Sequence, residues 1–166
     1  MAEKPIINIV DVPLLDRGNG GKFVAKWGPA APLLGLSKLG CAVHVVRRGK
    51  RAFPFHRHHV ADELFFIGRS EYRWRNKVFP LRPGDIIAAR AGTESHQIIN
   101  TGDGELRYLG ISTLGSVNVV DYPDSGKVAV AAGIKNADFS STSQPTISTA
   151  RRETVTIKGL EKNRDA

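Results

Sequence analysis

Cysteine is nearly absent from this sequence: Cys41 is the single one in 166 residues. One thiol cannot close an internal disulfide, so nothing supports a secreted, cross-linked scaffold, and a reducing cytoplasm is the expected setting. Long apolar runs are missing too. The N-terminal MAEKPIINIV holds only a short one flanked by polar residues, and no stretch approaches the roughly 18 residues that a membrane helix needs. A soluble, untargeted protein is therefore expected. No stretch of ten or more residues carries apolar side chains at helical spacing, which argues against a helical bundle and against a DNA-reading helix pair. Internal repeats of solenoid length are also lacking. The length fits about one domain, large enough to bury its own core.

Charge is present, with 24 Lys and Arg against 16 Asp and Glu, a formal balance of +8. Such an excess can mark a nucleic-acid or anion binder. Its distribution speaks against nucleic acid: the basic residues are scattered (Arg47, Arg48, Lys50 and Arg51, then Arg69, Arg73, Arg75, Lys77 and Arg82, then Arg151 and Arg152) and match no recognition module. A solvated surface is the ordinary explanation. A preference for an acidic or phosphorylated small molecule is the functional one.

Residues 11–40 are dense in Gly and Pro and read as an arm with turns that wraps the main body. From Ala42 onward, short segments rich in Val, Ile, Phe and Tyr recur between Gly, Pro and Asn: AVHVVRR, DELFFI, EYRWR, KVFPL, DIIAAR, HQIIN, ELRYLGIS, VNVVDY and KVAVA. This spacing predicts an all-β sandwich or barrel. Turns are expected at Arg75-Asn76-Lys77 and at Arg82-Pro83-Gly84-Asp85, where Pro sets one turn residue and Gly supplies a positive φ. Residues 134–150 are Ser- and Thr-rich with little to bury and read as a linker. One strand, Glu153 to Lys158, is expected beyond it. The organisation expected is an N-terminal arm over 1–40, a barrel over 41–133 and a C-terminal extension over 134–166.

The segment PFHRHHVADELFFI carries the chemistry. His56 and His58 are two apart, so on a strand they project from one face in chelating geometry. Glu63 lies an odd number of residues beyond, which requires a turn; His59-Val60-Ala61-Asp62 supplies it, and Glu63 then opens a returning strand beside the first. His96, in GTESHQIIN, can face the same interior. Three imidazoles and a carboxylate suit one divalent metal ion, Zn, Mn, Fe, Ni or Co, and leave coordination positions open. Isolated HxH pairs are commonly ordinary core or surface histidines; the added Glu63 and His96 favour a site.

These residues carry a resemblance. The chain resembles a cupin, whose two signatures run roughly G-x5-H-x-H-x3-4-E-x6-G and G-x5-P-x-G-x2-H-x3-N. Here the first runs from Gly49 through His56, His58 and Glu63, and the second from Gly84 through Gly92 and His96 to Asn100. Six residues separate Gly49 from His56, Ser70 stands at the final glycine of the first signature, Arg90 replaces the proline, and three residues separate Gly92 from His96. The 13 residues between Ser70 and Gly84 fit a compact microbial-type cupin. The resemblance covers residues 42–113 closely, and DYPDSGK is similar to a segment that follows the core in small bacterial cupins. It implies a double-stranded β-helix (jelly-roll) barrel and, as small cupins frequently dimerise, a homodimer.

Strand alternation from Glu63 turns Phe65 and Ile67 inward, and Ile98 follows His96. Tyr72, Trp74 and Tyr108 could stack against a ligand, and Arg90 could hold a carboxylate or phosphate. Each also has a plain reading as core or solvated surface. His59 and His44 are expected outside the metal shell, and Asn100 is expected to bond backbone in its turn. The leading functional expectation is a metal-dependent enzyme acting on a small polar metabolite. Sugar or sugar-phosphate isomerisation comes first, by analogy with similar small cupins, with Glu63 or a metal-bound hydroxide as candidate base. The alternatives are an iron- or manganese-dependent dioxygenase or decarboxylase of an organic acid, and a small-ligand-binding cupin that turns nothing over.

Overall fold

The computed structural model describes residues 5–132 and 150–151. Its strands form a jelly-roll of antiparallel sheets. The first sheet has six strands in the order β1 (Leu15–Gly20), β2 (Phe23–Pro29), β3 (Leu39–Val46), β10 (Leu106–Thr113), β5 (Glu63–Phe66) and β8 (Ile86–Ala89). Facing it are a four-stranded sheet, β13 (Ala150–Arg151), β12 (Lys127–Ala132), β11 (Val117–Tyr122) and β4 (Arg57–His58), and a three-stranded one, β7 (Lys77–Leu81), β6 (Ser70–Trp74) and β9 (His96–Ile99). An isolated antiparallel bridge between His56 and His96 joins these two sheets. No helix among the described residues is long and apolar enough to cross a membrane.

Alternation explains the core. On β5, Phe65 is buried while Leu64 and Phe66 are exposed, and on β8 Ile87 and Ala89 are buried while Ile86 is exposed. The inward set packs with Ile67, Tyr72, Ile98, Leu106 and Tyr108 into one apolar cluster. β3 departs from alternation: Val43, His44, Val45 and Val46 are all buried. Val46 faces the barrel cluster, whereas Val43 and Val45 pack outside it with Val12, Ala30, Ile7 and Leu14. The N-terminal segment therefore covers the outer face of β3.

Two expectations need correction. Residues 11–40, read as an arm with turns, contain the β1–β2 hairpin, and β2 pairs in register with β3 from Ala25↔Val46 to Pro29↔Ala42. The glycines are concentrated at the hairpin tip, where Gly18, Gly20 and Gly21 have positive φ, so they mark one turn instead of a structureless run. Second, β5 is not a partner of β4. β4 pairs with β11, and β5 pairs with β10 and β8. The connection after His58 crosses from one sheet to the other, so Glu63 meets the histidines across the barrel and not along a hairpin.

Both expected turns form. Arg75, first of the two residues joining β6 to β7, takes φ 55°, and at the tip of the next turn Gly84 takes φ 92° while the Asp85 amide donates to the Arg82 carbonyl at 3.1 Å. The expected linker and the strand from Glu153 to Lys158 lie outside the described residues, apart from Ala150, which begins β13.

Candidate metal centre

Backbone hydrogen bonds hold the two histidine segments together before any side chain is considered. His56 and His96 exchange both bonds, His56 N to His96 O at 3.1 Å and His96 N to His56 O at 2.7 Å. The Gly92 amide donates to the His58 carbonyl at 2.8 Å, from a turn in which Gly92 has φ 67°, a conformation costly for residues with a Cβ. The strand of the first segment and the turn of the second are thus locked in one register. The His56 ring centroid lies 5.0 Å from that of His58 and 4.6 Å from that of His96.

Glu63 reaches this cluster from the opposite sheet. Its Oε2 lies 3.3 Å from His58 Nε2 and 3.2 Å from His96 Nε2. Ligand atoms of His56, His58 and Glu63 all fall within 4.8 Å of one another. His96 is not part of that mutually close trio and joins through the carboxylate. Glu63 Oε2 and both His96 ring nitrogens are buried without a properly oriented hydrogen bond among the described residues. Buried polar atoms of this kind need a partner, and a cation between carboxylate and imidazoles would supply it.

The surrounding contacts orient the rings for ligation. His56 Nδ1 is 2.9 Å from the Pro54 carbonyl and donates to it, which fixes the tautomer with a bare Nε2. His58 Nδ1 meets the Asn118 side-chain amide, 2.9 Å from Nδ2 and 3.3 Å from Oδ1. With the amide turned so that its oxygen accepts from Nδ1–H, His58 Nε2 is likewise free to ligate. Burial, and next the adjacent His96 ring, lower the His56 pKa to about 4, so this imidazole is neutral at physiological pH. For Glu63, burial pushes the pKa up, but the His96 contact and the His58 and His56 rings outweigh it and leave the carboxyl below its ordinary value.

The wall of the site is mixed. Phe65 stands 5.7 Å from the His96 ring, and Tyr72 stands 6.0 Å from it. Ile67 and Ile98 are buried in the same cluster, and Trp74 is half-buried against it, with its ring 6.4 Å from Phe79. Tyr108 is buried and stacks on His44 at 4.7 Å. Burial raises the pKa of both the Tyr72 and Tyr108 hydroxyls, so each stays protonated and able to donate. Arg90 stays exposed at the end of β8, where its carbonyl accepts from the Thr93 amide and hydroxyl. Asn100 bonds backbone: its Nδ2 donates to Val46 O and Gly104 O, and its Oδ1 accepts from Gly102 N. His59 turns away and meets Asp121 at 3.2 Å.

Sequence reasoning missed Asn118, Pro54 and Tyr122. Tyr122 stacks over His56 with ring centroids 6.0 Å apart. Parity on β11 places Asn118 and Tyr122 on one face, a signal that VNVVDY contained. A pocket of about 170 Å³ opens onto the site, lined by His58, Glu63, Ser112 and Asn118 among others.

Residues 42–112 match the Cupin_2 cupin domain family. These residues form a cupin domain. No curated protein matches its sequence significantly. Among solved structures, one described as "Putative sugar phosphate isomerase" from Acidithiobacillus ferrooxidans is 26% identical with a TM-score of 0.63, over 66% of this chain and 72% of that one. A sugar phosphate isomerase from a cupin superfamily, from Silicibacter pomeroyi, gives 20% identity and a TM-score of 0.70, over 77% and 87% of the two chains. A "predicted oxalate decarboxylase" from Thermotoga maritima gives 22% and 0.57, over 66% and 99%. The two below 25% identity show a likeness of fold alone.

Proposed function

We propose that this cupin is a metal-dependent enzyme acting on a small polar metabolite, with sugar or sugar-phosphate isomerisation as its reaction. The observation that carries the reading is the Glu63 Oε2 atom set 3.3 and 3.2 Å from two imidazole nitrogens inside the barrel. His56, His58, Glu63 and His96 would hold one divalent ion. That ion would polarise the carbonyl and hydroxyl oxygens of a bound ligand.

The chain's own residues supply the rest. Glu63, ionised because its histidine neighbours outweigh burial, is the base that moves a proton from the carbon beside the carbonyl. Tyr72, whose buried hydroxyl has no hydrogen-bond partner among the described residues, donates to a ligand oxygen. Phe65, Ile67 and Ile98 exclude water from that face. The names carried by the two isomerase-labelled structures support this choice of reaction.

The test is turnover of metal-loaded protein on aldose and ketose phosphates in deuterated water, read by NMR. Aldose–ketose interconversion with deuterium entering beside the carbonyl is the expected result. Oxygen consumption by the iron-loaded protein, carbon dioxide release from an organic acid, or tight binding without any product would overturn the isomerase reading. We further propose a homodimer, supported by the exposed Leu64, Phe66 and Ile86 on the outer face of β5 and β8. Sedimentation of the intact chain at several concentrations tests it; a monomer throughout refutes it.

A further inference from the structure

The β1–β2 hairpin brings a cation to the histidine cluster that nothing in the sequence singles out. Arg17 pairs with Ala25 in the β1–β2 register, and Ala25 belongs to the barrel core, so Arg17 projects from the inward face of an edge strand. A register shift between Gly18 and Gly20 follows at once, and a Cβ on Gly18 would collide with the Phe23 carbonyl. Bulges of this kind re-aim the neighbouring side chain.

The Arg17 guanidinium lies 5.0 Å from the Phe53 ring centroid and 5.5 Å from that of Trp27. Phe53 in turn stands 5.7 Å from the His56 ring and 5.4 Å from His44. One aromatic ring therefore separates the cation from a candidate ligand of the metal. Arg17 makes no salt bridge with a carboxylate among the described residues. The residue is exposed as a whole, yet loss of water around the guanidinium lowers its pKa, and its charge acts on His44, Tyr108 and Tyr122.

A guanidinium over aromatic faces keeps its N–H edges free in its own plane, the arrangement that grips an oxyanion with two parallel hydrogen bonds. The inner wall offers polar atoms for the other end of a ligand: His44 Nδ1 and the Tyr72 hydroxyl are buried without a partner among the described residues. We propose that Arg17 is a specificity-determining residue that binds the oxyanion, phosphate or carboxylate, of a small ligand whose remaining oxygens face the histidine cluster. This rests on the metal-centre reading above and adds to it the class of substrate, a small organic anion.

The experiment uses the full chain, metal-loaded, and calorimetric titration with matched pairs of compounds with and without the anionic group. Ribose 5-phosphate against ribose probes phosphate, and lactate against lactamide probes carboxylate. In one pair the anion should bind about tenfold or more tightly than its neutral partner, because hydrogen bonds to a charged group are the stronger ones. Arg17→Ala should abolish that preference while leaving affinity for the neutral compound and the metal content unchanged. Arg17→Lys, which keeps the charge and loses the fork, should restore part of it. The pair that responds identifies the anion. Absence of any charge preference in the wild-type protein, or a preference that survives Arg17→Ala, overturns the proposal. Loss of metal from the wild-type protein refutes the metal-centre reading instead, and Arg17-dependent binding without isomerisation refutes only the reaction.

Discussion

His96 is buried to 2% exposure, its ring nitrogens form no well-oriented hydrogen bond among the described residues, and its Nε2 faces the Glu63 carboxylate at 3.2 Å. A leucine would fill such space at less cost in desolvation. His58 differs, since Asn118 engages its Nδ1. Two variants separate ligand from orienting partner. Asn118→Ala should weaken metal affinity about 10- to 100-fold, and His96→Ala should weaken it further; elemental analysis and competition with a chromophoric chelator measure both. Metal content unchanged in His96→Ala removes that residue from the centre. Asp121 poses a separate residue-scale question. It is buried and accepts from Arg57 Nε at 2.8 Å and Nη2 at 3.0 Å, with His59 at 3.2 Å. Burial raises its pKa, but the Arg57 hydrogen bonds and charge, with His59, bring the net value below the ordinary one. A depressed carboxyl pKa stabilises the fold above the unfolded value of about 4 and loses that contribution as pH falls through the folded value. Asp121→Asn should therefore cost about 1–3 kcal/mol at neutral pH, and urea denaturation should show the gap to wild type closing below about pH 4. A gap constant with pH would show that the charge contributes nothing.

At the scale of elements, the β1–β2 hairpin and the segment before it govern how the outer face of β3 is covered. Val43 and Val45 are buried there only because Val12, Ile7 and Leu14 lie across them. Gly28 permits the crossing: a Cβ at this position would sit 2.6 Å from Pro13 O, 2.7 Å from Val12 Cγ1 and 2.9 Å from Leu14 Cδ2. Gly28→Ala should destabilise the fold by about 1–3 kcal/mol through overpacking, with hydrogen exchange accelerated in residues 7–14. Unchanged exchange there would refute the crossing. Legibility followed the range of the interaction. Most strands from Ala42 to Ala132 were readable because short segments rich in Val, Ile, Phe and Tyr recur between local turn residues, as at Gly84. The histidine and carboxylate spacing was readable for the same reason. The β1–β2 hairpin was not, because LDRGNG has every residue exposed and no apolar alternation to reveal it. The partner of β4 was equally hidden: a two-residue strand pairs with β11, some 60 residues away, through backbone atoms that spacing does not encode. Arg17 was invisible for both reasons at once.

Across the whole molecule, the candidate ligands come from facing sheets. Glu63 stands on β5 of the six-stranded sheet, while His58 on β4, His96 on β9 and the bridge residue His56 belong to the opposing layer. The unfolded chain separates these groups by up to 40 positions, so closing such a loop costs entropy that the folded barrel has already spent. A divalent ion should consequently bind the folded state far better than the unfolded one, and binding must then stabilise the fold by mass action. At a free-ion concentration of 100 times Kd the gain is about 2.7 kcal/mol, which for a domain near this size is a rise in Tm of about 5–10 °C. Chelator-treated protein should melt lower by that amount and recover when Zn, Mn, Fe, Ni or Co is restored, with the size of the recovery ranking the metals. The same titration on Glu63→Gln isolates the cross-barrel contribution, because the histidines alone belong to one layer and cannot tie the two sheets together. A stabilisation equal in Glu63→Gln and wild type would mean that the ion sits on the histidine layer alone, and that the carboxylate facing it belongs to the substrate's chemistry only.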